Sequence, residues 1–422
     1  MTNTNNLLRI FEKVFAVIAL FHTSQALLPL VLSGGASEGD GVSPHDIDFS
    51  LAAKFSLLIY AIVLILLFLR WKRVFFIVAE NKFIWMLMGV ACFSYFWSVA
   101  PGDTFRFSIY ALGTTAIGLY LATRFTLREQ LDILSWSYAL MVILSILFVI
   151  ALPKYGLMGG VHEGALRGVF THKNQFGAII VPGVVIFLLK ALRNERNSWI
   201  YWLFLGTTIT LLVLARSTTA LGTTAIMLLL YLIYRIFRWR YEIMVSVILA
   251  VVVAGLVGLL WFNAYVDSDS IFQAFGKDST LSSRTLIWDL VWDKIQERPL
   301  FGYGLSAFWN DLNGPSSYII LAMGVTVAYA HNGFLDLCLA LGFVGLSIFL
   351  AAYFSAVIKS LAWLRYSKTP EGLWPLLFLS YLLLSNMSEG TIHTMDNGFW
   401  AIFTAISYSL VIARNNKYTN WV

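Results

Sequence analysis

Residues 281–309 read LSSRTLIWDLVWDKIQERPLFGYGLSAFW, and residues 328–342 read AYAHNGFLDLCLALG. This stretch decides how the chain is organised. It carries Arg284, Trp288 and His331 in a long segment that cannot span a bilayer, inside a protein otherwise made of bilayer-length apolar runs. Such runs recur at roughly 10–32, 51–69, 83–99, 105–122, 131–152, 175–192, 199–215, 218–234, 242–262, 333–357, 373–386 and 397–413. Each is long enough, or nearly so, to cross about 30 Å of hydrocarbon as a helix. The expectation is an all-α polytopic membrane protein of about twelve spans, one integral membrane domain over 1–422. A large, partly helical loop (263–332) separates spans nine and ten.

Composition agrees. The 422 residues are 59% hydrophobic and only 12% charged, about half the charged fraction of a soluble domain. The run starting near Ile10 contains His22, Gln25 and Pro29 and shows no small-residue cleavage site, so it reads as a retained first span. Cys92 and Cys338 are the only cysteines. Both fall in predicted spans, which argues against a disulfide framework or a cysteine metal site.

The net charge of +6 could suggest a nucleic-acid partner, but its distribution points to topology. With a cytoplasmic N-terminus, 19 of the 29 Lys+Arg fall on inner connections and six on outer ones, with four more in the large loop. Short basic connections stay inside. Both termini are then cytoplasmic, and the large loop faces outward.

Within that loop, residues 282–297 have a helical pattern, capped at Ser282 or Ser283 and stopped by Pro299, Gly302 and Gly304. Ile287, Trp288, Val291, Trp292 and Ile295 form an apolar stripe, as in helices that lie in the headgroup region. Arg284 and Trp288, one turn apart, share a face. Arg284 then either snorkels to lipid phosphate or serves a site. His331, before Asn332 and Gly333, is either a helix-end residue or a base. The outer-face arginines Arg167, Arg216 and Arg284 suit a phosphate by their planar fork, or they are scattered headgroup contacts. Asp336, one turn into the tenth span, needs a partner or a wet cavity. Asp267 and Asp269 form a weak D-x-D pair more typical of a solvated turn. His162 with Glu163, and Glu389 with His393, lack a third metal ligand nearby.

Taken in order, these residues resemble the O-antigen ligase-like superfamily of bacterial membrane glycosyltransferases, which includes O-antigen ligases and Wzy-type and exopolysaccharide polymerases. His331-Asn332 followed by Gly342 is similar to the family's histidine motif. Arg284 and Trp288, then Arg298, Pro299, Gly302 and Gly304, resemble its loop motif. Arg167 through Asn174 and Ala215-Arg216-Ser217 resemble two further outer segments. The likeness spans about 80–400. His172-Lys173-Asn174 replaces a proline-containing version found in many ligases, and is closer to the exopolysaccharide polymerases.

The resemblance implies a GT-C-like enzyme in the bacterial inner membrane, working on its periplasmic face. It would move a glycan from undecaprenyl diphosphate to an acceptor hydroxyl with inversion, using neither metal nor cofactor. His331 is then the base. Arg216 and Arg284 hold the diphosphate, and Arg167, Lys173, Asn174, Trp288, Asn332 and Asp336 help bind substrate. Polymerisation of a surface polysaccharide is expected; ligation to lipid A core is the alternative. Implied partners are the lipid-linked glycan, the acceptor, membrane lipid, and flippase and chain-length regulator proteins, without nucleic acid. A transporter is the rival class, but carriers place charges at mid-bilayer in matched halves, whereas the notable charges here gather at one face. A non-catalytic scaffold is a further rival.

Overall fold

A computed structural model describes residues 2–36, 48–193, 195–247, 284–310, 312, 314–324 and 327–415. Regular structure among them is helical, apart from one isolated bridge between Leu157 and Leu166. Lipid cannot hydrogen-bond a peptide group, so apolar segments satisfy their backbones as helices. The order is α1 (Thr2–Thr23), α2 (Leu28–Leu32), α3 (Ser50–Phe68), α4 (Trp71–Glu80), α5 (Lys82–Phe93), α6 (Pro101–Arg124), α7 (Leu127–Ala151) and α8 (Pro153–Gly156). There follow α9 (Lys173–Ala191), α10 (Ser198–Leu214), α11 (Thr218–Ile236), α12 (Arg284–Glu297), α13 (Ser317–Met323), α14 (Gly333–Tyr366), α15 (Trp374–Asn386) and α16 (Gly398–Asn415).

Among the described residues five helices, α3, α7, α9, α11 and α14, are long and apolar enough to cross a membrane, and α4 with α5 would add a bent sixth. The chain is thus a multi-pass helical membrane protein. Two predicted runs are corrected in shape. The first breaks after Thr23, where Gln25 and Leu27 adopt positive φ and the Leu27 N–H donates to Val169 O at 2.7 Å. The third ends as a helix at Phe93 and closes in a 3-10 turn, Ser94–Trp97. The expected inner connection before it is instead a helix, α4, bent 91° from the following segment. Beyond residue 247 the ninth run (242–262) lies outside the described residues, as do Ser282, Ser283, Asp267, Asp269 and most of the first outer loop.

α6 and α16 form the centre. At Gly118 a side chain would collide with Thr404 and Ala401 O, so glycine permits the close approach that membrane helices favour. The Trp400 indole donates to Thr115 Oγ1 at 2.8 Å across the same interface.

One end of the bundle is laced with ion pairs. Glu12 accepts from both Arg70 and Arg124, Glu129 from Arg9 at 2.5 Å, and Asp132 from Lys190. Arg193 reaches Glu371 at 3.1 Å.

Toward the other end, α14 is broken at Gly342 (φ 65°, ψ −171°). Such a backbone is open essentially to glycine alone. The segment after α12 fills the break. Pro299 O and Leu300 O accept from the N–H groups of Phe343 (2.8 Å) and Val344 (3.2 Å), while the Tyr303 and Gly304 N–H groups donate to Leu339 O (2.8 Å) and Ala340 O (3.0 Å). A Cβ at Gly302 would strike the Leu339 and Ala340 carbonyls. Val99 N donates to Tyr303 O at 3.0 Å, tying the turn before α6 into the same knot. The Pro-then-Gly-x-Gly run and Gly342, more than thirty residues apart, are therefore two halves of one interlock.

Candidate functional site

His331 sits just before α14, in a left-handed conformation (φ 52°) that costs a non-glycine residue about 1–2 kcal/mol. Asn332 caps the helix, its Oδ1 accepting from Phe334 N (3.1 Å) and Leu335 N (3.3 Å). The cap fixes where the chain enters the helix and so where the imidazole stands. The ring packs on Tyr329, centroid to centroid 4.2 Å. Its Nδ1 is buried without a hydrogen bond and lies 3.8 Å from Glu389 Oε2.

Glu389 links the site. It follows α15 in sequence, its N–H donating to Ser385 O at 2.8 Å. Oε2 accepts from the Tyr329 hydroxyl at 3.0 Å, and Oε1 faces an Arg284 terminal nitrogen at 3.7 Å. Burial pushes this carboxyl up, but His331, the Tyr329 hydroxyl and the Arg284 charge outweigh it and hold it below its ordinary value. Burial, then the Glu389 charge, pushes the Tyr329 phenol well up in turn. A carboxylate held ionised beside a histidine nitrogen can orient the ring and stabilise its protonated form.

α12 positions Arg284, but its apolar face is not laid open to lipid headgroups. Ile287, Val291 and Ile295 are buried against Tyr303, Phe308, Ile319, Cys338 and Leu339, leaving Trp292 half exposed. The physical reason is the interlock, which brings the end of α12 onto α14. The Trp288 indole donates to Ala330 O at 2.9 Å. Ala330 N donates to Asp336 Oδ1 at 3.0 Å, which also accepts from the Trp309 indole at 2.8 Å. Trp288 and Asp336 thus brace the turn that carries His331. The other Asp336 oxygen is buried with no partner.

A cavity of about 1060 Å³ opens beside these groups. Four of the six histidines, His162, His172, His331 and His393, line it with Glu389, Asp396, Gln25 and Asn174, over an apolar wall from α7 and α16. No Arg or Lys is among its described lining residues. The predicted convergence of arginines therefore takes a different form. Arg284 reaches the site through Glu389. Arg216, exposed and left-handed (φ 51°) in the short α10–α11 turn, borders neither the cavity nor the narrow cleft between Ser217, Thr219, Asn174, Ser388 and Glu389, though it adjoins Ser217 in the chain. Glu389 and Asn174 border both spaces.

Arg167 stands apart from both. It is fully buried (0% exposed), and its guanidinium donates to the carbonyls of Tyr155 (3.0 Å), Ala36 (2.7 Å), Gly35 (2.7 Å), Lys154 (2.9 Å) and Thr171 (3.3 Å). It holds the chain at Gly35 and Ala36 to the segment around Lys154, Tyr155 and Thr171, since buried carbonyls need a donor. Lys173 opens α9 behind the His172 cap, whose ring accepts from Asn174 N, and borders neither space.

Sequence reasoning passed over Glu389 as a partner of His331 and took it only as a possible metal ligand with His393. The available signal was an acidic residue just past a predicted span, on the outer side. His393 and Asp396 were likewise missed as cavity residues. Burial raises the Asp396 carboxyl.

The chain is thus a membrane helix bundle with a polar cavity at one end, and a histidine and a carboxylate in the cavity wall. Residues 202–350 match the family model described as O-antigen ligase. The chain is also 26% identical over 344 residues, 77% of each chain, to the exopolysaccharide production protein ExoQ of Rhizobium meliloti (strain 1021). Together these matches show the likeness that the motifs suggested, to the O-antigen ligase-like proteins and close to the exopolysaccharide type.

Proposed function

We propose that the protein is an inverting membrane glycosyltransferase that lengthens an exopolysaccharide or other surface polysaccharide from an undecaprenyl-diphosphate donor. The observation that carries this is the His331–Glu389–Arg284 arrangement, set between a large cavity with no Arg or Lys among its described lining residues and a narrow cleft that shares Glu389 and Asn174 with it. The cavity, rich in hydroxyl, amide and imidazole groups, suits an uncharged sugar chain and takes the acceptor. The exposed rim between Arg216 and Arg284, outside the narrow cleft, takes the diphosphate.

With Nδ1 turned to Glu389, Nε2 of His331 is the free base. It removes the acceptor hydroxyl proton as the oxygen attacks the anomeric carbon. The bond from that carbon to the diphosphate oxygen breaks, and undecaprenyl diphosphate leaves with the electron pair. Guanidinium charge at Arg284 and Arg216 stabilises the growing negative charge. One displacement inverts the anomeric centre. The reading carries the finer expectations with it: about twelve spans in a GT-C-like arrangement, the inner membrane, cytoplasmic termini and a periplasmic site. The family model's own description favours ligation to a terminal acceptor as the second reading.

The test is reconstitution with a lipid-diphosphate-linked repeat unit. His331→Ala is expected to lower product formation by about 10²–10⁴-fold at unchanged expression and melting temperature. Undiminished product would overturn the base assignment and favour a scaffold. Products of many repeats from the lipid-linked unit alone mark a polymerase; single transfer to an added terminal acceptor marks a ligase.

A further inference from the structure

The segment between α15 and α16, residues 387–397, forms part of the cavity wall. Besides Glu389 it carries side chains that the reaction above leaves unused. An asparagine fixes each end. Asn386 Oδ1 accepts from Thr391 N (2.9 Å) and Ile392 N (3.1 Å), and Asn397 Oδ1 caps α16 by accepting from Phe399 N and Trp400 N, each at 3.1 Å. Between them Ile392 and Met395 are buried in the hydrophobic core, and Met395 is left-handed (φ 56°). A strained residue held by its surroundings is common where a fold presents a ligand-binding group. The groups presented here are His393, Thr394 and Asp396, which line the cavity.

His393 is placed much as His331 is. Its Nδ1 is buried without a hydrogen bond, and so is Oδ2 of Asp336. Both atoms converge on Gly390, where a Cβ would stand 2.7 Å from Asp336 Oδ2 and 3.1 Å from His393 Nδ1. Asp336, 2% exposed, therefore serves two turns. Its Oδ1 accepts from the Ala330 N–H before His331, while its Oδ2 faces the His393 side of Gly390. Asp396 is a second carboxyl near the ring and accepts from the Thr394 hydroxyl at 2.6 Å. Burial raises that carboxyl against the pull of this bond and of the His393 ring. Nε2 of His393 has no hydrogen bond to a described residue and is the ring nitrogen left to the cavity. Imidazole, carboxyl, hydroxyl and amide groups together match a ligand whose groups both donate and accept, as sugar hydroxyls do.

We propose that His393 binds the glycan that enters the cavity, its Nε2 holding one sugar hydroxyl while Asp336 stands behind the ring. The proposal rests on the reading of the cavity as the acceptor site and adds a residue that selects the acceptor.

The probe is the phosphate-free oligosaccharide repeat unit of the cell's own polysaccharide, titrated into full-length protein in detergent and followed by saturation-transfer NMR. Wild type is expected to bind it. His393→Ala is expected to bind it about two- to tenfold more weakly, as for one lost hydrogen bond, at unchanged melting temperature. A glutamine amide reaches the position of Nε2, and an asparagine amide only that of Nδ1. His393→Gln is therefore expected to restore binding and His393→Asn is not. In the transfer assay the loss falls on the acceptor KM more than on kcat. Transfer that depends on His331, with oligosaccharide bound as well by His393→Ala as by wild type, overturns this proposal alone. Binding that depends on His393 in a protein that transfers nothing overturns the enzyme reading and leaves this site standing. The proposal is also overturned if wild type does not bind the oligosaccharide, or if His393→Gln binds as weakly as His393→Ala.

Discussion

The two ends of the bundle treat buried charge in opposite ways. At the basic end, carboxylates sit in direct contact with their cations: Glu12 on Arg70 and Arg124, Asp132 on Lys190. At the cavity end, Glu389 stands 3.8 Å from His331 and 3.7 Å from Arg284, beyond hydrogen-bond reach. Three buried polar atoms nearby, His331 Nδ1, Asp336 Oδ2 and His393 Nδ1, have no partner. Buried groups left unbonded are costly and usually mark function. Ion pairs are closed at the first end and held apart at the second, where His331, Glu389 and His393 line the cavity.

This contrast can be broken from either side. Glu12→Gln at the closed end is expected to have the largest effect on stability, about 3–5 kcal/mol, because it strands two partly buried guanidinium groups; thermal melting in detergent measures it. At the open end Asp336→Ala leaves the Trp309 and Ala330 N–H groups without an acceptor, costing about 1–3 kcal/mol. Asp336→Asn, which keeps the Oδ1 acceptor, is expected to melt close to the wild type. A smaller effect is expected from pH. The folded Glu389 carboxyl ionises below its ordinary value of 4.5. As pH falls, the unfolded chain takes up its proton near that value while the folded chain does not. Its contribution is therefore complete above about 4.5 and lost as pH drops through the lower folded value. Glu389→Gln is expected to flatten this part of the melting curve against pH, and an unchanged slope would show that Glu389 is not held ionised.

Much of this was legible in the chain. Apolar runs located the helices, and basic connections marked one end. The one-turn spacing of Arg284 and Trp288 put them on a common side of a helix that does form. What escaped is long-range. Glu389 is 58 residues beyond His331 in sequence, and nothing local announces that the end of α15 meets the start of α14. Arg167 carries the same residue type as Arg216, but only the fold shows that loop carbonyls enclose it. The apolar stripe of α12 contains the buried Ile287, Val291 and Ile295, but Trp292 stays half exposed and the stripe does not say what covers the rest. Periodicity reports that a face is apolar, and both lipid and protein can satisfy that demand.

The interlock at Gly342 also bears on how such proteins could be recombined. Residues 299–304 are clamped onto α14 on both sides of Gly342, so His331 travels with that helix and with the segment that fills its break. A graft joined between Pro299 and Gly304 severs that clamp, and an exchange upstream of Arg298 must keep Trp288, whose indole braces the turn at Ala330. The rest of the upstream sequence can diverge while the turn that carries His331 keeps its place.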